Sequence, residues 1–378
     1  MTRWCSRRLR TSKIIFCGLW LLKCTSTTLA LILPPVDKIN MGLKDELIEE
    51  CEDTSYDDIF EPIMEFDVTE GYQLATSVFS HLAACDRKAT QIWLPQFRNR
   101  GGEIERLTSV LNDNSDRLGG LFADFQHWPE VPASMVEFQW SDETNQQSYE
   151  KETPDETETA VRNTHDYVDN HLCGLGLCPF TKSMKRAAIG LDSVGVREGP
   201  VIVRHSADVI SSTSTSPAAV TAAMYWQGVS EIIEQPETSV ATHLLVAPKC
   251  YDDDFKSFFK TCDNLIEKTV ILSPGSVGRV WFHPKYKLSE VGYTSGGHAP
   301  PLHEIDGLFD TYVAENPQAE RPDEENMAKA HDKTRWTPHA TINLLRAKQL
   351  KAATDNRNRA RVFPRNILKL LSKNLVEI

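Results

Sequence analysis

No Cys-x-x-Cys pair occurs among the nine cysteines, which stand at 5, 17, 24, 51, 85, 173, 178, 250 and 262. That excludes a zinc ribbon and a thioredoxin-type motif. Nine thiols in 378 residues are also too sparse for a disulfide scaffold, so reduced cysteines are expected. Equally absent are a Walker loop, a GxGxxG fingerprint and a GxSxG elbow. Gly174-Leu-Gly176 and Gly296-Gly297 are too short to cradle a phosphate. No Asn-x-Ser/Thr acceptor is present, which speaks against a secreted glycoprotein. Positive charge is scarce: 41 Lys and Arg face 53 Asp and Glu, for a net charge of −12. A general nucleic-acid binder would show a basic surface, so no nucleic-acid partner is expected. The apolar run Ile14–Leu22 is short, and Lys23 separates it from the next apolar stretch, so no stable membrane span is expected. No internal repeat is visible in the residues.

What is present is a strongly sectioned chain. Residues 1–36 carry Arg3, Arg7, Arg8, Arg10, Lys13 and Lys23 and no acid. A basic start, an apolar stretch and a Ser/Thr cluster read as a removable targeting segment. Import into an organelle is the expectation, a plastid favoured, with the secretory pathway or an anchor as alternatives. Residues 37–65 are acidic and read as a disordered lead-in. Residues 66–140 read as a helical region: Leu74, Val78 and Leu82 recur every four residues, and Ile104, Leu107 and Leu111 mark a second helix. A short strand is expected at Met135–Trp140. Seven acids against one lysine between Ser141 and Glu158 make 141–158 a linker.

From 159 to 375 strands and helices alternate. Val161, Val168, Leu172 and Leu175 form the apolar face of a helix. Compact strands come next at Pro200–Arg204, Thr242–Ala247 and Gly278–His283, separated by helices that begin at Ser216-Pro217 and near Asp252-Asp-Asp254. Trp226 and Tyr225 fall on the first of these helices as core residues. The expected fold class is α/β: a small, mostly parallel sheet with flanking helices, plus a helical N-terminal extension. Residues 288–333, rich in Gly, Pro and acids, read as a loop insertion, with His298 and His303 facing solvent. Ala340–Ala352 and Pro364–Leu375 read as terminal helices.

The most informative stretch is Gly174-Leu-Gly-Leu-Cys-Pro-Phe-Thr-Lys182. A glycine-closed helix end is succeeded by Pro179, whose preset φ suits a first helical position. Cys178 would then be an N-cap, where backbone N–H groups and the helix dipole favour a thiolate.

Four motifs in order, Gly174-Leu-Gly-Leu-Cys-Pro-Phe180, Phe282-His-Pro-Lys-Tyr286, Arg335-Trp-Thr-Pro338 with Leu344-Leu-Arg346, and Pro364-Arg-Asn-Ile367, resemble a bacterial and plant family, domain of unknown function 1415. The resemblance spans about 160–375 and implies kinship without an activity. Asn343 stands where the family's pattern has a histidine, and 288–333 separates motifs that are nearer in relatives.

The candidate chemistry is an enzyme of uncertain class, a cysteine-dependent hydrolase, transferase or thiol redox enzyme, acting on a small anionic substrate. Cys178 is the nucleophile, His283 a general base at a strand's carboxyl end, and His339 a second base. Lys182, Arg335, Arg346 and Arg365, with the polar Asn343 and Asn366, would clamp the anion. The rivals are a non-catalytic ligand-binding or assembly protein, and a metal site of Cys178, His283 and His339. No metal site is assigned. The cofactor, the substrate and the oligomeric state stay open at this level.

Overall fold

A computed structural model describes residues 63–84, 90–99, 102–128, 133–141, 149–210, 213–214, 216–291 and 296–376. The targeting segment and nearly all of the acidic lead-in lie outside these residues. Among the described residues no helix is long and apolar enough to cross a membrane.

The architecture is α/β, built on two four-stranded sheets. The first comprises β1 (Ile63–Glu65), β2 (Thr90–Leu94), β3 (Leu121–Trp128) and β4 (Ala133–Trp140), ordered β1-β2-β4-β3. Helices α1 (Gly71–Ala84) and α2 (Glu103–Asp113) connect its first three strands. The 66–140 region read as helical therefore carries three strands of a sheet as well as its two helices. β2 and β4 alternate buried and half-buried residues, the pattern of a sheet with one face on the core.

The second sheet comprises β5 (Val201–His205), β6 (Thr242–Val246), β7 (Val277–Phe282) and β8 (Thr341–Arg346), ordered β5-β6-β8-β7. Only β5 and β6 run parallel; β8 is antiparallel to both β6 and β7. The sheet is thus mixed where a mostly parallel one is expected. Its fourth strand occupies the start of the segment read as the helix 340–352, and the helix there, α8 (Ala347–Ala353), begins only afterwards. Propensity does not separate the two states for Thr-Ile-Asn-Leu-Leu-Arg. Pairing on both edges does, because it satisfies every ladder group of a buried segment.

Helix α4 (Pro217–Glu234) connects β5 to β6. Ser216 caps it by accepting the Ala219 N–H at 3.0 Å, with Pro217 at its first position. It buries twelve residues around its circumference, including Tyr225 and Trp226. A helix apolar on all sides must be enclosed. The second sheet covers one side, and α1 lies along another. Gly228 lets the sheet approach: a Cβ there would meet Leu344 Cδ1 at 2.9 Å and Leu245 Cδ2 at 3.3 Å.

On the opposite face of the second sheet lies α3 (Pro154–Asp166), which opens with a Thr153/Glu156 capping box inside the acidic stretch read as linker. It continues as a wider π-helical turn, Tyr167–Cys173. Tyr167 and Val168 pack on Val201, Leu244 and Val246. Between β7 and β8 the stretch read as a loop folds into helices α6 (Leu302–Glu315) and α7 (Glu324–Lys333), which pack with the terminal helix α9 (Asn356–Ser372) around Ile305, Phe309, Met327 and Ile367. His303 is exposed. His298 is buried instead, bonded to Asp263 Oδ1 at 3.1 Å and Tyr286 Oη at 3.2 Å.

Buried histidines make this core acid-sensitive. His331 on α7 stacks on Phe363, and burial pushes its imidazole down from 6.5 to about 4. Between those values the unfolded chain takes up a proton that the folded chain refuses. Stability therefore falls as pH drops from 6.5 toward 4, by on the order of 3 kcal/mol for this one group. His81, His205, His243 and His283 are depressed by burial in the same direction. The His331→Phe protein, which keeps a ring against Phe363, should lose melting temperature less steeply over this range. A slope equal to wild type in scanning calorimetry would show that His331 does not carry its share.

Candidate functional site

The carboxyl ends of β5 and β6 point toward one cavity of about 650 Å³, lined by Glu152, Asp155, Glu156, Lys249, residues 250–254 and His339. Ligands in open α/β sheets gather at such strand ends, because the loops beyond the strands are free to vary there. β6 runs out through Ala247-Pro248 into a short turn that delivers Asp252. The segment leading into β8 delivers His339 from the other side.

The two side chains meet. Asp252 Oδ2 accepts the His339 Nδ1–H at 2.6 Å, and Asp252 Oδ1 accepts the Ala340 N–H at 2.7 Å. A carboxylate held from two directions holds the ring in turn. With its proton on Nδ1, His339 presents Nε2 as a lone-pair acceptor. The Asn163 amide of α3 stands 3.5 Å from that nitrogen. The His339 side chain keeps 14% of its surface exposed. Nearby, Ser206 Oγ donates to Glu152 Oε1 at 2.6 Å, and the buried His205 at the end of β5 senses Asp208, Glu152 and His339.

His283 has a different role. It is fully buried between Phe255 and Phe258. The Lys285 N–H donates to Nδ1 at 2.9 Å, so Nε2 carries the proton and donates to the Tyr251 carbonyl at 2.8 Å. Both nitrogens are committed to backbone, and burial lowers its pKa. The general-base reading of His283 gives way to a turn-locking one.

Cys178 is not at a helix start. The wide turn ending α3 closes in a Schellman motif: the Leu177 N–H bonds Leu172 O at 2.9 Å and the Gly176 N–H bonds Cys173 O at 2.9 Å, with Gly176 at φ +60°. Beyond Pro179 the chain forms a β-hairpin, Thr181–Ser183 with Arg186–Ala187. Its pairing to Phe180 and Gly199 draws the chain away from helix. The Cys178 sulfur is half-buried and faces Thr181 Oγ1 at 3.5 Å.

The expected clamp residues disperse. Arg346 donates to Ile232 O, Gln235 O and Val240 O, closing the carboxyl end of α4. Arg335 donates to His298 O at 3.3 Å and covers the Phe282 ring. Lys182 is exposed on the hairpin. Asn343 lies within β8 and accepts the Thr242 hydroxyl at 2.6 Å. Only Arg365 and Asn366 reach the cysteine segment. Arg365 donates to Gly176 O at 3.1 Å, Asn366 Nδ2 to Leu177 O at 2.8 Å, and Lys369 to Leu175 O at 2.8 Å. Three side chains of α9 thus take up the orphan carbonyls that end α3.

Among the described residues no three His, Cys, Asp or Glu side chains are grouped to hold a metal. Cys178, His283 and His339 stand in separate surroundings. Sequence reasoning missed Asp252, Asn163, His205 and Glu152. Asp252 sits in an acidic run whose helix-start reading is met by its neighbour Asp254, which caps the Ser257 N–H at 3.0 Å. Its partner lies 87 residues away, beyond any local pattern.

Residues 159–295 match the family described as "Protein of unknown function (DUF1415)". Two of the four motifs, at 174–180 and 282–286, lie inside that match, and the other two lie beyond its end. No curated protein and no solved structure matches the chain. The DUF1415 match takes in β5, β6 and β7 but stops before β8, which lies between β6 and β7 in the sheet. It includes Asp252, while His339 comes from beyond its end.

The α9 contacts yield a stability test. Asn366→Ala would leave the Leu177 carbonyl only the longer 3.4 Å bond from Arg365, a loss of about 1 kcal/mol. A melting temperature within one degree of wild type would show that water replaces the amide.

Proposed function

We propose that this protein is an enzyme that moves a proton on a small polar substrate held in the cavity at the carboxyl ends of β5 and β6. His339 is the base and Asp252 the residue that orients it. One observation carries the reading: the Asp252–His339 bond of 2.6 Å, made by two residues that both line a cavity large enough for a metabolite-sized ligand. Asp252 would also stabilise the imidazolium formed once Nε2 has taken a proton, since that charge develops directly against its carboxylate. A half-buried base of this kind needs no metal and no cysteine to act as acceptor.

The cavity's charge points to a substrate class. Glu152, Asp155, Glu156, Asp252, Asp253 and Asp254 stand against Lys249 and His339, and Lys249 is already paired to Glu156 at 2.7 Å. A field of this sign favours an amine or a neutral polyol over the small anion expected from the arginines. The test is a thermal-shift screen of small amines, amino alcohols and polyols against wild type, His339→Gln and Asp252→Asn. Ligand at 100 times its Kd adds about 2.7 kcal/mol to the folded state. Compounds that stabilise wild type should lose at least tenfold in affinity with either variant. Stabilisation undiminished in both variants would place the ligand elsewhere and sink the reading.

A second reading rests on Cys178. The Arg365 guanidinium and the buried Tyr167 phenol both lie within electrostatic reach of the sulfur, and Tyr167 within reach of Arg335. Of these neighbours the Arg365 cation is the one that would favour a thiolate. Iodoacetamide should then label Cys178 in the folded protein, without denaturant. Labelling only after denaturation would remove this reading and leave the histidine site untouched.

A further inference from the structure

We infer that residues 63–140 are a second copy of the unit formed by β5, α4, β6, α5 (Phe255–Lys260, running on through Thr261–Ile266), β7 and β8, joined to it in cis and serving as its partner subunit. The two units share one order of elements: strand, helix, strand, helix, strand, strand. They share one sheet order, β1-β2-β4-β3 against β5-β6-β8-β7. They share the sense of every pairing. The first two strands are parallel in each, and the last is antiparallel to both of its neighbours.

In each unit the last strand sets a fully buried apolar residue between its two neighbours: Val136 between Ile92 and Phe125, and Leu344 between His243 and Arg279. The units differ in what joins their last two strands. The first has a short connection between Trp128 and Ala133; the second has the α6/α7 insertion between Phe282 and Thr341. That insertion divides the second copy, α3 separates it from the first, and together they hide the repeat from any reading at fixed period.

The copies meet through equivalent helices, as a two-fold interface requires. Along the α1/α4 seam, Tyr72 Oη bonds Glu234 at 3.4 Å, Thr76 Oγ1 lies 2.9 Å from Ser230 Oγ, and Gln227 donates to Ser80 Oγ at 2.9 Å. Rising numbers on one helix meet falling numbers on the other, so the pair is antiparallel. The second equivalent pair also touches: Asn114, just past α2, donates to Asn264 O at 3.0 Å. One core runs through both units. The copies have diverged in function. α3 covers the outer face of the second sheet, whereas the first leaves Phe122 56% exposed beside Asp124 on its outer face. The proposed acid–base pair belongs to the second copy alone. The first has kept the scaffold and supplies the surface that encloses α4.

The test keeps the whole chain and adds a sequence-specific protease site within 142–148, between the copies. After cutting, the two fragments should co-elute from a sizing column at the mass of the uncut protein. They should part in urea and rejoin one to one when it is removed. Thr76→Arg, at the middle of the seam, should weaken rejoining at least tenfold. Ser80→Lys, at its half-buried rim, is the milder variant should the first fail to fold before cutting. Wild-type fragments that elute apart in buffer would overturn the inference, as would rejoining at wild-type concentration in both seam variants.

Discussion

Helix α4 is buried over most of its circumference, and the rest of the molecule is arranged to enclose it. Twelve of its residues are buried, and at about 25 cal/mol per Å² of apolar surface such a helix cannot stand against one sheet alone. The second sheet takes one side, with Gly228 setting the close approach, and α1 takes another. Arg346 closes the carboxyl end by bonding three carbonyls that would otherwise be orphaned. The arginine expected to grip a ligand is therefore part of the clamp on this helix. Guanidinium geometry serves either purpose, and the nearest unsatisfied acceptors decide which.

The candidate site depends on that frame. Parallel pairing of β5 and β6 brings two strand ends to one edge, and the antiparallel insertion of β8 brings the segment before it to the same place. His339 and Asp252 meet there although neither lies on a strand. Rigidity comes from the ladder beneath them, and Ala340, whose N–H is held by Asp252, is also bonded through its carbonyl to the Ala247 N–H at 2.9 Å. A proton-transferring group gains from this kind of support, because misplacement by an ångström weakens it severely.

Cysteine 178 shows how local grammar can be satisfied in two ways. Glycine before and proline after a short apolar stretch suit both a helix start and the entry to a hairpin. The Gly176 helix end is read correctly from the residues. The state of the residues after Pro179 is decided by the hairpin's pairing to Gly199 and by the α9 side chains that reach across to the preceding carbonyls. These partners are near in space and distant in sequence, so no window of residues contains them.

The residues alone establish the α/β class, helices around 74–82, 104–111 and 217–233, strands near 200–204, 242–247 and 278–283, and a family resemblance that the match over 159–295 supports through two of its four short motifs. All of these are local, resting on periodicity, capping and adjacency. Tertiary structure decided the placement of β8, the divergent uses of Arg346, Arg365 and His283, the meeting of His339 with Asp252, and the correspondence between the two sheets. Each depends on contacts between segments far apart in the chain. The physical reason is the same in every case: a polar side chain or an unpaired backbone group takes the nearest partner that burial leaves it, and only the folded chain says which partner that is.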